Sequence, residues 1–152
     1  MPHIHELIDF VVTAFIVHEG KVLLVFHKKL QKWLPIGGHI ELDEDPEQAL
    51  FREIQEECGL EVEILSSKPD IENEGRKSLL TPNYLDIHKI SDTHSHTSLT
   101  YFARAKSDTV KLAEQEHEDI RWFSEADLEN QEFQIQKDIK FYAREAFKRV
   151  QL

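Results

Sequence analysis

Residues 38–60 read GHIELDEDPEQALFREIQEECGL, and this stretch decides the fold. Its middle predicts a helix, because Asp45 can cap the N-terminus and form a reciprocal capping box with Gln48. We expect the helix to run to about Cys58 and to end before Gly59, since a glycine often follows the last residue of a helix. The stretch therefore predicts a loop, a helix and then a sharp end to the helix.

Three glutamates lie on one face of this predicted helix. At about 100° per residue, Glu53, Glu56 and Glu57 fall within one arc of about 100°. The adjoining face is apolar and is expected to pack in the core; it consists of Leu50, Phe51, Ile54 and Cys58. Like charges at neighbouring helical positions repel each other by roughly a few tenths of a kcal/mol per pair, a cost that a bound cation would offset. Carboxylate oxygens suit Mg²⁺ or Mn²⁺, and a merely solvated acidic face is the alternative.

Apolar runs on both sides of the helix predict strands. Residues 10–17 and 21–26 are two such runs separated by turn residues, which predicts a β-hairpin. Residues 33–41 are expected to form a strand that ends in a loop, where Gly37 and Gly38 indicate unusual backbone geometry or a close approach to a ligand. The other predicted elements are strands at residues 60–65, 84–90, 97–105 and 120–123, a long polar loop at residues 66–83, and an amphipathic C-terminal helix at residues 135–150.

The composition limits the class of protein. The chain has 152 residues, which suits one domain over residues 1–152, and its formal net charge of −11 argues against a protein that grips nucleic acid by electrostatics alone. No run approaches the ~20 apolar residues of a membrane helix. The single cysteine, Cys58, excludes an internal disulfide, and the start of the chain does not resemble a secretory signal. We therefore expect a cytoplasmic protein with neither a membrane nor a nucleic-acid partner.

The stretch from Gly38 to Leu60 resembles the signature of the Nudix hydrolase family. It agrees at each of the nine positions that this pattern fixes across 23 residues, namely Gly38, Glu44, Arg52, Glu53, Ile54, Glu56, Glu57, Gly59 and Leu60. Chance agreement at so many positions is remote. The resemblance implies an α/β fold, specifically an α/β/α sandwich around a mixed β-sheet. In that fold the signature forms a loop, a helix and a second loop, which matches the predicted elements.

The resemblance also implies which residues carry the chemistry. Glu53, Glu56 and Glu57 would bind the metal, with Gly37 or Gly38 offering a carbonyl oxygen, and the cofactor would be Mg²⁺ or Mn²⁺. Glu53 is also a frequent candidate for the general base in this family. Gly37 and Gly38 would contribute to binding the substrate.

Arg52 joins the catalytic group because of its spacing from the carboxylates. It lies four residues before Glu56, so the two can pair on the helix surface and the guanidinium would fix the carboxylate orientation. Glu44 is expected to support the loop rather than to touch the substrate.

A second acidic segment offers a late carboxylate. Residues 112–132 hold eight acidic residues and one basic residue, the same balance as residues 38–60. Some members of the family take their base from a later loop, and Glu118 is the preferred candidate ahead of Glu114 and Glu116. An exposed charged loop is the alternative.

Two further features are less specific. Trp33 could stack on a nucleotide base, although burial at a strand end is the favoured interpretation. His94 and His96 would share one face of a strand, with His88 on the neighbouring strand, and could bind a transition metal. Because no acidic or cysteine partner is fixed nearby in the sequence, a substrate contact or an ordinary polar turn is favoured instead.

The resemblance implies metal-dependent hydrolysis of a pyrophosphate bond in a nucleoside diphosphate linked to another moiety. The partner would be a small-molecule nucleotide, and we expect a nucleoside triphosphate or a modified one. The alternatives are an ADP-ribose or nucleotide-sugar pyrophosphatase and a nonhydrolytic Nudix-like nucleotide-binding or regulatory module. The intact set of Glu53, Glu56 and Glu57 argues against the module, and a homodimer is left open.

Overall fold

The computed structural model describes residues 6–71 and 73–151. Its elements in chain order are β1 (Ile8–His18), β2 (Lys21–His27), β3 (Lys32–Leu34), β4 (Ile36–His39), α1 (Pro46–Glu57), β5 (Val62–Ile64), β6 (Tyr84–Ser91), β7 (His94–Ala105), β8 (His117–Ser124), α2 (Glu125–Glu129) and α3 (Lys137–Gln151). Every helix within these two ranges is too short or too polar to cross a membrane. The first five residues, on which the expected lack of a secretory signal depends, lie outside the described ranges.

A mixed sheet of eight strands forms the centre of the described chain. Strand β1 pairs in parallel with β7, from Ile8 opposite Ser95 to Val17 opposite Arg104, and antiparallel with β4. Strands β5 and β6 both pair with β7, while β2 turns back from β1 and pairs with β3 and β8. The predicted α/β class with a mixed sheet is confirmed.

Strand β1 is buried on both faces and has a helix on each side. Val12 and Ile16 face a core cluster that includes Ile54 of α1. Phe15, on the alternate side of the strand, faces a second cluster that includes Ala143 of α3. The two helices therefore cover opposite faces of the sheet, which is the α/β/α sandwich that the sequence implies.

Helix α1 begins and ends where the sequence predicts. The backbone N–H of Gln48 donates to Oδ1 of Asp45 at 2.9 Å, and the backbone N–H of Asp45 donates to Oε1 of Gln48 at 2.9 Å. Cys58 is the C-cap, and Gly59 follows with φ of +68°, a left-handed conformation that favours glycine. Local capping signals thus set both ends of the helix.

The buried arc of α1 differs from the predicted apolar face. Phe51 was expected in the core, but it is 47% exposed, whereas Ala49 is fully buried. The arc of α1 that packs against the sheet is centred between Leu50 and Glu57, and Phe51 lies at its edge. Glu53 and Glu57 consequently lie in the buried arc instead of on a separate solvated face.

Three of the predicted strands have different bounds in the structure. The predicted strand over residues 33–41 is two strands, β3 and β4, which pair with β2 and β1 respectively. Pro35 lies between them, and because proline has no N–H to donate, it interrupts a continuous ladder. Strand β7 begins at His94 and β8 begins at His117, both earlier than predicted. The longer β7 brings His94 and His96 into the sheet, and the longer β8 brings His117 into it.

Candidate active site

Two glycines of β4 allow the strand to touch helix α1. The backbone N–H of Gly37 donates to Oε2 of Glu57 at 2.8 Å. A Cβ on Gly38 would lie 2.2 Å from Oε1 of Glu53, and a Cβ on Gly37 would lie 2.4 Å from the carbonyl oxygen of Val12. A Cβ on Gly37 would clash with the backbone of β1, and a Cβ on Gly38 would displace the carboxylate of Glu53, so the two glycines let β4 lie close to both β1 and the carboxylates.

The three helix carboxylates differ in their exposure to solvent. Glu53 is 8% exposed and Glu57 is 4% exposed. The side chain of Glu56 is 56% exposed. The group thus presents two buried carboxylates and one carboxylate at the surface, all from two consecutive turns of α1.

Arg52 orients the carboxylates of Glu44, Glu53 and Glu56 through hydrogen bonds. Its Nε and Nη2 donate to the two oxygens of Glu44 at 2.7 and 2.8 Å. Its Nη1 donates to Oε1 of Glu53 at 2.9 Å and to Oε2 of Glu56 at 3.2 Å, and Nη2 also donates to the carbonyl of His39 at 3.0 Å. The predicted contact with Glu56 is present, and Glu44 supports the loop as expected. A single guanidinium therefore ties the loop, strand β4 and the helix together.

His117 is part of the site, although no motif or spacing in the sequence pointed to it. Its Nε2 lies 3.0 Å from Oε1 of Glu57, and its side chain is 2% exposed. Within the described chain its Nδ1 has no hydrogen-bond partner. One ligand atom each from Glu57, Glu116 and His117 lie within 4.8 Å of one another. Only the position of β8 beside β2 could have indicated this contact.

The late carboxylate that the structure brings to this group is Glu116. Its Oε2 lies 3.8 Å from Nε2 of His117. Glu118 is exposed and accepts a hydrogen bond from Nε2 of Gln31 at 2.9 Å, at a bulge where β8 pairs with β2. The role of Glu118 as a late ligand therefore stays a prediction, and its contact with Gln31 does not support it.

Trp33 packs among aromatic side chains at the end of β3. Its ring centroid lies 4.9 Å from that of Phe123, 5.3 Å from that of Phe26 and 6.2 Å from that of Phe133, all close to edge-to-face. The residue is partly buried and packs against the second core cluster. These contacts support the interpretation that Trp33 is a core residue rather than a platform for a base.

Burial changes the acidity of the two inner carboxylates. Burial, followed by the charge of Glu57, raises the pKa of Glu53 to about 7, although the ion pair with Arg52 opposes the shift. Burial also raises the pKa of Glu57, against hydrogen bonds from His117 and Gly37. A nearby cation would favour the ionised form of both groups.

The donors present fit a hard divalent cation. Glu53, Glu56 and Glu57 offer carboxylate oxygens, which are the ligands that Mg²⁺ and Mn²⁺ prefer. The hydrogen bonds at Glu57 engage one lone pair on each oxygen, and an ionised carboxylate has about four such positions. The buried like charges of Glu53 and Glu57 are also a cost that a cation would remove.

The raised pKa of Glu53 predicts how the stability of the metal-free protein depends on pH. Between about pH 4.5 and pH 7 the unfolded chain loses this proton while the folded chain keeps it, so stability falls as the pH rises. Glu53→Gln cannot ionise, and at pH 8 it should exceed the wild type in unfolding free energy by on the order of 3 kcal/mol, with a smaller gain at pH 5. Urea unfolding in the presence of a chelator measures both values. An equal difference at the two pH values would contradict the prediction.

Comparisons with known proteins agree with this site. A family model of the NUDIX domain matches residues 9–144. The CTP pyrophosphohydrolase of Escherichia coli (strain K12) is 33% identical over 98 residues, which cover 60% of this chain and 73% of that protein. The crystal structure of a NUDIX-family hydrolase from Clostridium perfringens is 38% identical, with a TM-score of 0.79 over 92% of this chain and 96% of that chain.

A more distant structure shares the fold. The NUDIX domain of Shewanella oneidensis NrtR, solved with ADP ribose, is 19% identical and has a TM-score of 0.64 over 97% of this chain and 90% of that chain. The family match covers most of the chain and includes the glycine pair, the helix carboxylates and His117. The chain therefore belongs to the Nudix family of pyrophosphohydrolases.

Proposed function

We propose that the protein hydrolyses a pyrophosphate bond of a nucleoside triphosphate, or of a modified one, with Mg²⁺ as the metal. The observation that carries the proposal is the buried pair Glu53 and Glu57, held against the glycine backbone of β4. Such a pair is costly without a cation, and a polyanionic substrate could not approach it without one. The site is thus suited to a metal-bound polyphosphate.

Each residue of the site has a distinct task in this proposal. Glu53, Glu56, Glu57 and the carbonyl oxygen of Gly38 would hold the metal. When bound, Mg²⁺ would supply the positive charge that lets a polyphosphate approach these carboxylates and that stabilises the leaving group. Arg52 orients Glu53 through Oε1, so Oε2 would be available to the metal or to the proton of the attacking water.

Two observations support hydrolysis of a nucleoside triphosphate over the alternatives. The CTP pyrophosphohydrolase of Escherichia coli, to which this chain is 33% identical, is named for a nucleoside triphosphate. All three helix carboxylates are also present, and Arg52 orients two of them, Glu53 and Glu56, which favours a hydrolase over a module that only binds a nucleotide.

A panel of nucleotides assayed with Mg²⁺ in ¹⁸O-labelled water tests the proposal. The panel contains the common nucleoside triphosphates, their oxidised or methylated forms, ADP-ribose and a nucleotide sugar. We expect the highest kcat/KM with one of the triphosphates, and mass spectrometry of the labelled fragment identifies the phosphorus that water attacks. A higher kcat/KM for ADP-ribose or the nucleotide sugar would replace the proposed substrate. If no compound turns over although the metal binds, the nonhydrolytic module is the correct interpretation.

A further inference from the structure

A cluster of histidines surrounds Asp9 on the sheet face that α3 partly covers. His94 and His96 follow each other on one face of β7, and Asp9 of β1 is the register partner of His96. His88 of β6 lies opposite His96 on the other side of β7. His39, the last residue of β4, completes the group. The sequence placed the histidines together but did not indicate that Asp9 supplies an acidic partner.

The geometry points to a second metal site, in which Asp9, His94 and His96 bind a divalent transition-metal ion of the Zn²⁺ type and His39 is the fourth ligand. One ligand atom each from Asp9, His94 and His96 already lie within 4.8 Å of one another. This ion is chemically distinct from the Mg²⁺ proposed for the helix carboxylates.

The distances around Asp9 suit a tetrahedral ion. Its Oδ2 lies 2.9 Å from Nε2 of His94 and 3.5 Å from Nε2 of His39. Bond lengths of about 2.0–2.1 Å to a tetrahedral Zn²⁺ separate neighbouring ligand atoms by roughly 3.3–3.4 Å. Small side-chain rotations would therefore bring these atoms to their coordination positions, with the backbone of the three strands unchanged.

His96 lies at the centre of the imidazoles. Its ring centroid is 5.0 Å from that of His39, 5.2 Å from that of His94 and 5.7 Å from that of His88, each close to edge-to-face. Burial lowers the pKa of His96, and the neighbouring imidazoles lower it further. Neutral imidazole is the form that binds a metal, so this crowding favours coordination over protonation.

An outer set of hydrogen bonds holds the edge of the cluster. Nδ1 of His88 lies 3.1 Å from Oδ1 of Asp86, and the hydroxyl of Tyr142 donates to Oδ2 of the same carboxylate at 2.6 Å. These bonds fix the ring of His88, which is not itself a proposed ligand but contacts the ring of His96. His88 is therefore positioned to support the ring of His96 on the side away from Asp9.

The cluster is accessible to an ion and separate from the helix carboxylates. The side chains of His94 and Asp9 are 29% and 37% exposed, so an ion can reach Oδ2 from solvent. The link to the active site passes through β4, because His39 follows Gly38 and its carbonyl accepts from Arg52. An imidazole-rich set selects Zn²⁺, Cu²⁺ or Ni²⁺, whereas the carboxylates of α1 select Mg²⁺.

The test is a titration of the chelator-treated protein with Zn²⁺. The buffer contains excess Mg²⁺ to occupy the carboxylates of α1. Calorimetry should show one tight Zn²⁺ site in the wild type. The double variant His94→Ala/His96→Ala should lose about 100-fold or more in Zn²⁺ affinity, and Asp9→Asn about tenfold or more, since even residues behind the ligands contribute 10–100-fold. Glu53→Gln/Glu57→Gln should bind Zn²⁺ as the wild type does, which separates this site from the proposed catalytic one.

Two controls complete the test. His18→Ala removes a histidine at the far end of β1 and should leave Zn²⁺ affinity unchanged. His3→Ala/His5→Ala shows whether the N-terminal histidines contribute to Zn²⁺ binding. Circular dichroism confirms that each variant is folded, and the visible spectrum of added Co²⁺ should report tetrahedral coordination in the wild type. Zn²⁺ affinity within about threefold of wild type in both the histidine double variant and Asp9→Asn would overturn the proposal. Loss of binding in the carboxylate or N-terminal variant would also overturn it.

Discussion

Glu53→Gln and Glu57→Gln should each lower kcat by about 10²–10⁴-fold while the protein stays folded. Each change keeps the shape of the side chain but removes a charge that would hold the metal, and at Glu53 it also removes the candidate base. The structural cost at Glu53 is small, because this buried carboxylate lies beside a like charge and burial raises its pKa. At Glu57 the amide keeps one oxygen to accept from the backbone N–H of Gly37. Glu53→Gln should therefore be more stable than the wild type at pH 8 when no metal is present, and it should be less active when Mg²⁺ is present.

The measurement is a steady-state assay against the best substrate of the nucleotide panel, with the Mg²⁺ concentration varied for each variant. Glu63→Gln is the matched control, since this residue lies on β5, is 63% exposed in its side chain and pairs with Arg104 at 3.2 Å. The control should keep the wild-type kcat. Near-normal turnover in both Glu53→Gln and Glu57→Gln would show that the proposed residues do not carry the reaction.

Features that depend on near neighbours in the chain could be predicted from the sequence. The capping box joins Asp45 to Gln48, three residues apart, and Gly59 ends the helix through its own backbone conformation. The contact of Arg52 with Glu56 likewise follows from helical spacing. These interactions need no knowledge of the sheet, so the bounds of helix α1 and the contact between Arg52 and Glu56 could be predicted before the structure.

Features that depend on strand register could not be predicted in the same way. Glu57 and His117 lie 60 positions apart, and only the pairing of β8 with β2 brings them together. The contact between Asp9 and His94 similarly requires that β1 and β7 run in parallel. Long-range pairing of this kind leaves no periodic signal, which is why the sequence favoured Glu118 and gave no acidic partner to the histidines.

The exposure of Phe51 shows a limit of helical periodicity. An angular pattern identifies which residues share a face, but the neighbouring elements decide which face is covered. Strand β4 contacts α1 through Gly37 and Gly38, and without side chains these glycines draw the Glu53 and Glu57 side of the helix inward. Phe51 is consequently left at the edge of the contact.

The two glycines of β4 should respond differently to the same substitution. A Cβ at Gly38 meets the carboxylate of Glu53, which is the end of a flexible side chain and can move away. Gly38→Ala should therefore fold with little loss of stability but lower kcat by about 100-fold, because a displacement of about 1 Å at a catalytic group costs that much. A Cβ at Gly37 instead meets the backbone of Val12 at 2.4 Å, in the paired strand.

The backbone of β1 cannot yield as a side chain can, so Gly37→Ala should destabilise the protein by about 1–3 kcal/mol or more through overpacking. Urea unfolding and kcat measured on both variants separate the two effects, and each variant is the control for the other because the added group is one methyl in both. If Gly38→Ala kept its kcat within about threefold of wild type, a difference of only about 0.65 kcal/mol, the close approach of Gly38 to Glu53 would have no catalytic role. If both variants lost stability equally, the distinction between a mobile carboxylate and a fixed carbonyl as the clashing partner would be wrong.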